Sequence, residues 1–291
     1  MKKLNSHELP YGQWSWWFVP IALFLSVPLI MGLTIVLGQT PLRQISQVLA
    51  YFVAALITVG IGSLIKRKNC FVGFSFLGKG KLIQNLLWGV AIGVLIIWTT
   101  RGVEFLLSNK DTGVNSLVEM SYGKAIGGTI VTTLLITTLA PVMEELFFRA
   151  ILFRSLRDSL GRFVQKRGKS KVVVEVISFA LAMAIFIGAH LTESDKLKTA
   201  LLYLPMTFLF IWVYRHTGSL LAAITAHAVN NSNAMFTSIL ALNKDQNYDP
   251  VSEWYILLSI VGGIVAIALG YLLGRLLDEK KHSRKRMQGL G

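Results

Sequence analysis

The sequence predicts an all-α membrane protein, a bundle of about eight transmembrane helices with both termini in the cytoplasm. Three observations predict this class: long apolar segments, a shortage of charge and an uneven distribution of basic residues. Of the 291 residues, 53% are hydrophobic and 15% are charged, with a mean hydropathy of +0.57. Soluble domains carry about 25% charged residues. The composition therefore excludes a disordered chain, a coiled coil and an ordinary soluble enzyme.

Eight apolar segments are long enough to cross a hydrocarbon core of about 30 Å. Each must be helical, because an open strand would leave backbone groups unpaired in lipid. The first begins with an aromatic cluster typical of a membrane interface, which favours a transmembrane helix over a signal peptide. The predicted segments are 16–38, 46–65, 83–104, 126–153, 173–191, 199–214, 218–242 and 254–277.

The basic residues support this topology. If the N-terminus is cytoplasmic and the loops alternate, 22 of the 29 Lys and Arg residues fall on the cytoplasmic side. Basic residues favour cytoplasmic loops, so the net charge of +14 reflects topology and no nucleic-acid partner is expected. The basic stretches 162–171 and 280–286 are expected to contact anionic lipid headgroups. The single cysteine, Cys70, excludes an intrachain disulfide and a CxxC site.

The chain shows no internal repeat, and it predicts one membrane-embedded domain over 16–277. A cytoplasmic segment, 1–15, precedes this domain and a basic cytoplasmic tail, 278–291, follows it. If the host is a bacterium, such a multi-pass protein is expected in the plasma membrane.

Glu144, Glu145 and Arg149 are the first candidate site residues, because ionisable groups at membrane depth are costly and usually functional. Glu145 and Arg149 are spaced i,i+4 and can form an ion pair. Glu144 then faces another direction, where an apolar environment suits a general base or acid. Pro141 predicts a bend nearby. The alternative is an ordinary helix-end ion pair.

Two further motifs carry histidine. Phe186 and His190 share a face of the fifth segment, where Gly188 leaves room for another helix. His227 and Asn231 share a face of the seventh segment. The alternatives are an interfacial histidine at position 190 and a hydrogen-bonded packing pair at 227 and 231.

Other polar residues favour plainer interpretations. Glu175 is expected to be ion-paired or at headgroup level, and Arg154 and Arg157 to be cytoplasmic anchors. Small hydroxyl residues are expected to line a wet cavity for water and substrate; they are Thr132, Thr133, Thr137, Thr138 and Ser232.

The three motifs together, Glu-Glu-x-x-x-Arg, Phe-x-x-x-His and His-x-x-x-Asn, resemble the CPBP family of intramembrane endopeptidases. This family includes CAAX prenyl proteases of type II and bacterial relatives linked to bacteriocin processing and immunity. The resemblance covers about 124–242, and the basic stretch between Arg149 and His190 is interpreted as a loop insertion.

The resemblance implies an endopeptidase that acts on a membrane-associated or lipid-modified peptide. Glu144 would activate water with help from His190, while His227 and Asn231 would stabilise the oxyanion. Glu145 and Arg149 would support the site. A divalent metal such as zinc remains possible, held by Glu144, His190 and His227, and so does a metal-free mechanism. A non-catalytic bacteriocin-immunity protein and a proton-coupled transporter are the alternative functions.

The predicted depths of these residues conflict. His190 lies about 22 Å along its helix from Glu175, toward the outer side, whereas Glu144 lies on the cytoplasmic side of the midplane. Straight, vertical helices with these bounds would keep the two apart. Tilt, a bend at Pro141 or a deeper start of the fifth helix would be needed to bring them together.

Overall fold

The computed structural model describes residues 15–37, 46–66, 75–78, 81–107, 133–165, 171–191, 196–244 and 253–288. These residues form helices and short connections, and no strand occurs among them. The predicted all-α class is therefore confirmed. Cys70 and Thr132 lie outside the described residues.

The helices are numbered here in chain order. The fourth, α4, is a continuous helical run whose winding changes between the π and α forms: π over Leu135–Leu139, α over Ala140–Glu144, π over Glu145–Phe153 and α over Arg154–Gln165. The others are α1 (Phe18–Leu37), α2 (Ser46–Lys66), α3 (Leu82–Leu106), α5 (Lys171–His190), α6 (Lys196–Thr217), α7 (Leu220–Lys244) and α8 (Glu253–Gln288).

Five of these helices contain stretches long and apolar enough to cross a membrane, and a shorter apolar stretch covers Leu49–Ile65. The five are Phe18–Leu37, Leu82–Leu106, Val172–His190, Lys196–Thr217 and Leu257–Leu276. They confirm a polytopic helical bundle and an integral membrane protein. The count of eight crossings and the cytoplasmic termini remain predictions.

Helix α7 lies at the centre of the bundle, packed against α3, α4, α6 and α8. Its first half is buried on every side, and many of its residues there are small, including Ala222, Ala226 and Ala228. Small residues let helices approach closely in lipid, where apolar side chains gain little by leaving the hydrocarbon. The buried position of α7 explains how it can carry the polar residues His227 and Asn231.

Glycines on the neighbouring helices make this packing possible. A Cβ at Gly89 would lie 2.5 Å from the Cβ of Thr225, and one at Gly93 would lie 2.7 Å from the Cβ of Val229. Side chains at these positions of α3 would therefore overlap with α7.

The hydroxyl-bearing residues make hydrogen bonds both at the start of α4 and between helices. Thr137 donates to the carbonyl of Thr133 at 2.8 Å, and Thr138 donates to the carbonyl of Gly262 on α8 at 2.9 Å. Ser232 similarly donates to the carbonyl of Ser259 at 2.9 Å. Thr133, Thr137 and Thr138 are buried, and the wet cavity expected around them stays a prediction.

Substituting alanine for Gly89 should lower the stability of the bundle by about 1–3 kcal/mol, the typical cost of overpacking. The same substitution at Gly102 is the matched control, because Gly102 lies on the same helix and no heavy atom of the described residues lies within 4 Å of a Cβ there. Gly102→Ala should be neutral or stabilise by about 0.5–1 kcal/mol through helix propensity. Thermal unfolding in detergent measures both, and equal midpoints for the two variants would contradict the packing described.

Candidate active site

The α4–α5 hairpin brings Glu144 and His190 to the same level. Helix α4 continues twelve residues past the predicted end at residue 153, and α5 begins at Lys171. Successive contacts then join the two antiparallel helices: Arg157 Nε lies 2.9 Å from Glu175 Oε1, and the rings of Phe148 and Phe186 are 4.7 Å apart. One turn farther along, His190 reaches Glu144.

The predicted depths of Glu144 and His190 conflicted because the turn between α4 and α5 was predicted too close to Glu144 in the sequence. The basic stretch interpreted as a loop insertion, 162–171, is helical at 162–165 and at 171, and residues 166–170 lie outside the described part of the chain. Extending α4 moves the turn away from Glu144, so α5 needs most of its 20 residues to return to that level.

The prediction that Arg154 and Arg157 are cytoplasmic anchors is wrong, because both side chains are buried within the extended α4. The prediction that Glu175 is ion-paired is confirmed by its contact with Arg157 and by Arg215 Nε at 3.6 Å. A buried arginine needs a counter-charge, and Glu175 supplies it from the facing helix.

Glu144 lies between the two candidate histidines. Its Oε2 atom is 3.8 Å from Nε2 of His190 and 4.0 Å from Nε2 of His227. The three residues come from α4, α5 and α7, so the fold gathers side chains separated by up to 83 positions in the sequence. The expected convergence of these three residues is confirmed.

The other nitrogen of each ring fixes its orientation. Nδ1 of His190 lies 2.8 Å from the carbonyl oxygen of Phe186, and Nδ1 of His227 lies 2.8 Å from Oε1 of Glu145. A carbonyl and a carboxylate can only accept, so both Nδ1 atoms are assigned as donors. Both Nε2 atoms are therefore turned toward Glu144.

Glu145 holds Arg149 and His227 together. The predicted i,i+4 ion pair is present, with Arg149 Nε 3.1 Å from Glu145 Oε2, and both side chains are buried. Glu145 Oε1 accepts the hydrogen bond from His227. The two adjacent carboxylates therefore approach the same imidazole ring, Glu145 at Nδ1 and Glu144 at Nε2. The winding changes from α to π between them, a feature that is frequent at functional sites.

Asn231 lies one turn beyond His227, and its amide donates to the carbonyl of Ile136 on α4 at 3.0 Å. Its Oδ1 atom accepts from Asn230 at 3.3 Å. In this arrangement Asn231 links α7 to α4 and makes no hydrogen bond to Glu144. Its hydrogen bonds therefore go to α4 and to Asn230, and the contacts of Glu144 come from His190 and His227.

Ring contacts complete the site. Phe186 stacks on His190 with centroids 4.4 Å apart, and Tyr203 of α6 lies 4.9 Å from the same imidazole. Phe210 stacks on His227 at 4.7 Å. Sequence reasoning missed Tyr203 and Phe210, because both lie in an apolar stretch without a distinguishing motif. Close helix packing was expected at Gly188 and its neighbour Ala189: Ala189 packs against the core, whereas a Cβ at Gly188 would have no heavy atom of the described residues within 4 Å.

The fit of a metal ion depends on the spacing of the donors. Two imidazole nitrogens and a carboxylate oxygen are donors that zinc accepts, and at 2.0–2.2 Å from the ion they would lie about 3.4 Å apart in a tetrahedral site. The observed separations of 3.8 and 4.0 Å are longer. Within the described part of the chain, no group of three His, Cys, Asp or Glu residues is arranged to hold a metal ion. The arrangement described here therefore does not fit zinc.

Comparison with protein families assigns the part of the chain that contains all three motifs. Residues 126–233 match the model "Type II CAAX prenyl endopeptidase Rce1-like", which covers 108 of the 291 residues. This segment is similar to the type II CAAX prenyl endopeptidase family. The resemblance inferred from the motifs is thereby confirmed, and its matched segment lies within the predicted 124–242. Comparisons with curated proteins and with solved structures found no match.

The buried pair of Glu145 and Arg149 predicts different effects for the two glutamates. Glu145→Gln leaves Arg149 as a buried charge without its counter-ion, so it should destabilise the protein by roughly 3–5 kcal/mol. Glu144→Gln should have a much smaller effect, because no hydrogen bond from the described residues ends on Glu144.

The double variant Glu145→Gln, Arg149→Met provides the control. It removes both charges and keeps an acceptor for His227, so it should recover most of the lost stability. Thermal unfolding in detergent compares the three variants. A double variant no more stable than Glu145→Gln alone would contradict a charge-pair role for Glu145.

Proposed function

We propose that this protein is an intramembrane endopeptidase in which Glu144 activates a water molecule. The observation that supports this proposal is the pair of distances, 3.8 and 4.0 Å, between Glu144 Oε2 and the two histidine Nε2 atoms. They are too long for direct hydrogen bonds. A water molecule placed about 2.8 Å from Glu144 Oε2 and from either Nε2 atom would fit these distances.

In the proposed reaction, Glu144 accepts a proton from this water as its oxygen attacks the carbonyl carbon of the peptide bond. His190 helps to orient the water, because its Nε2 accepts the second O–H while its Nδ1 donates to Phe186. When the tetrahedral intermediate breaks its C–N bond, Glu144 returns the proton to the leaving nitrogen. One carboxylate thus acts first as a base and then as an acid.

His227 is proposed to stabilise the oxyanion. This role requires protons on both ring nitrogens, one donated to Glu145 and the other directed at the developing negative charge. With Arg149, Glu145 and Glu144 ionised, a cationic His227 makes the four-residue cluster electrically neutral. Asn231 is proposed to add a second donor, since Nδ2 has two hydrogens and the Ile136 carbonyl uses one.

The proposed substrate is a membrane-associated or lipid-modified peptide, in line with the CAAX prenyl endopeptidase match. Membrane lipids are the other expected partners, and the plasma membrane is the expected location in a bacterial host. The bacteriocin-immunity and transporter alternatives gain no support from the family match. A farnesylated peptide with a C-terminal CAAX sequence is the first probe of activity.

Glu144→Gln should reduce the rate of peptide cleavage in proteoliposomes by at least about 10²-fold, because glutamine cannot take the proton from water. The thermal midpoint should stay close to that of the unmodified protein. Glu104→Gln, which changes an acid paired with the exposed Arg101 on α3, is the matched control and should leave the rate unchanged. Equal cleavage by the Glu144 and Glu104 variants would remove Glu144 from the mechanism.

Cleavage should also survive removal of divalent metal, because the donor spacing around Glu144 exceeds that of a zinc site. The measurement is the cleavage rate after dialysis against a strong chelator, with a known zinc protease treated in parallel. A loss of activity that added Zn²⁺ restores would show that the donors close around a metal in the working enzyme.

A further inference from the structure

The two histidines of the proposed site have matching aromatic supports. Phe186 stacks on His190 with centroids 4.4 Å apart and planes at 27°, and Phe210 stacks on His227 at 4.7 Å and 26°. Phe186 belongs to a motif visible in the sequence, whereas Phe210 does not. The geometry nevertheless gives the two rings equivalent positions, each against one imidazole.

The same two rings also contact one cation. The guanidinium carbon of Arg149 lies 4.5 Å from the centroid of Phe186 and 5.0 Å from that of Phe210. Both distances are within the range of cation–π attraction, in which the negative face of the ring stabilises the charge. Phe210 is fully buried and therefore presents a fixed surface to both Arg149 and His227.

The buried charge of Arg149 is stabilised partly by these rings. Its side chain is 1% exposed, and none of its three guanidinium nitrogens has a hydrogen-bond partner among the described residues. Its contact with Glu145 at 3.1 Å, the faces of Phe186 and Phe210, and a more distant third ring, Phe148 at 6.0 Å, compensate for its loss of water. A change in Phe210 would therefore act on Arg149, then on Glu145, and through Glu145 on His227.

We propose that Phe210 is a positioning residue for the hydrolytic reaction, holding the His227 imidazole directly and its partners Arg149 and Glu145 through the guanidinium. The proposal rests on the proposed function, because the group being positioned is the oxyanion donor of that reaction. Phe210 itself touches no reacting atom in this scheme. Its removal should thus affect the chemical step more than the binding of substrate.

Phe210→Leu tests this role, since leucine keeps the site apolar and removes the flat face. The control is Phe153→Leu, which changes an equally buried ring that contacts Phe179 and Tyr214. Cleavage of the farnesylated peptide should show kcat reduced about 10-fold or more for Phe210→Leu, because small misplacements of catalytic groups have effects of this size. KM should change less than twofold, and Phe153→Leu should keep kcat within twofold.

A second readout does not depend on cleavage. The rate at which diethyl pyrocarbonate modifies His227, followed by mass spectrometry, should rise several-fold in Phe210→Leu relative to the exposed His216 of the same molecule. Phe153→Leu should leave this ratio unchanged. If both leucine variants have the same kcat and the same modification ratio, Phe210 only fills space and the proposal is overturned.

Pentafluorophenylalanine at position 210 covers the case in which the leucine variant does not fold. It approximates the shape of the ring and reverses the charge of its face, so kcat should fall, whereas an unchanged kcat would overturn the proposal.

Glu144→Gln in the same assay distinguishes a failure of the proposed function from a failure of the role proposed for Phe210. If Glu144→Gln is fully active, the proposed function fails; if it is inactive while both Phe210 variants behave normally, only the role of Phe210 fails.

Discussion

The candidate site depends on one buried interaction, the pairing of Glu145 with Arg149 on one side and His227 on the other. Three ionisable groups lie together inside a helical bundle, where any one of them alone would be strongly unfavourable. Each makes the burial of the others acceptable, and each is therefore held in a narrow range of positions. Glu144, the adjacent residue, is left without such a partner and faces the Nε2 atoms of two histidines.

The bundle places this cluster where lipid does not reach it. The helices with the most apolar stretches carry exposed leucine, isoleucine and valine side chains, whereas α7 is buried along its first half. Close approach through Gly89 and Gly93 leaves α7 little freedom to rotate. The direction of His227 is therefore set by backbone packing as well as by its hydrogen bond.

Much of this fold could be predicted from the sequence, because long apolar segments and their helical form follow from the physics of the bilayer. The pairing of Glu145 with Arg149 also followed from simple helical spacing. The position at which α4 ends could not be predicted. Arg154 and Arg157 are residue types typical of a cytoplasmic membrane border, and their burial depends on acids distant in the sequence, such as Glu175. The contact of Phe210 with His227 could not be predicted either, because an apolar residue in an apolar helix carries no local sequence signal of its role.

The histidines differ in how far they are open to their surroundings. The side chain of His190 is 17% exposed and that of Glu144 is 10% exposed, whereas His227 is 5% exposed and Glu145 is fully enclosed. Accessibility thus decreases from α5 toward α7. In the proposed reaction, water and the peptide would reach Glu144 from the side of His190, while Glu145 and Arg149 lie enclosed behind His227. Such one-sided access would let the reaction draw on a few molecules of water while its permanent charges stay dry.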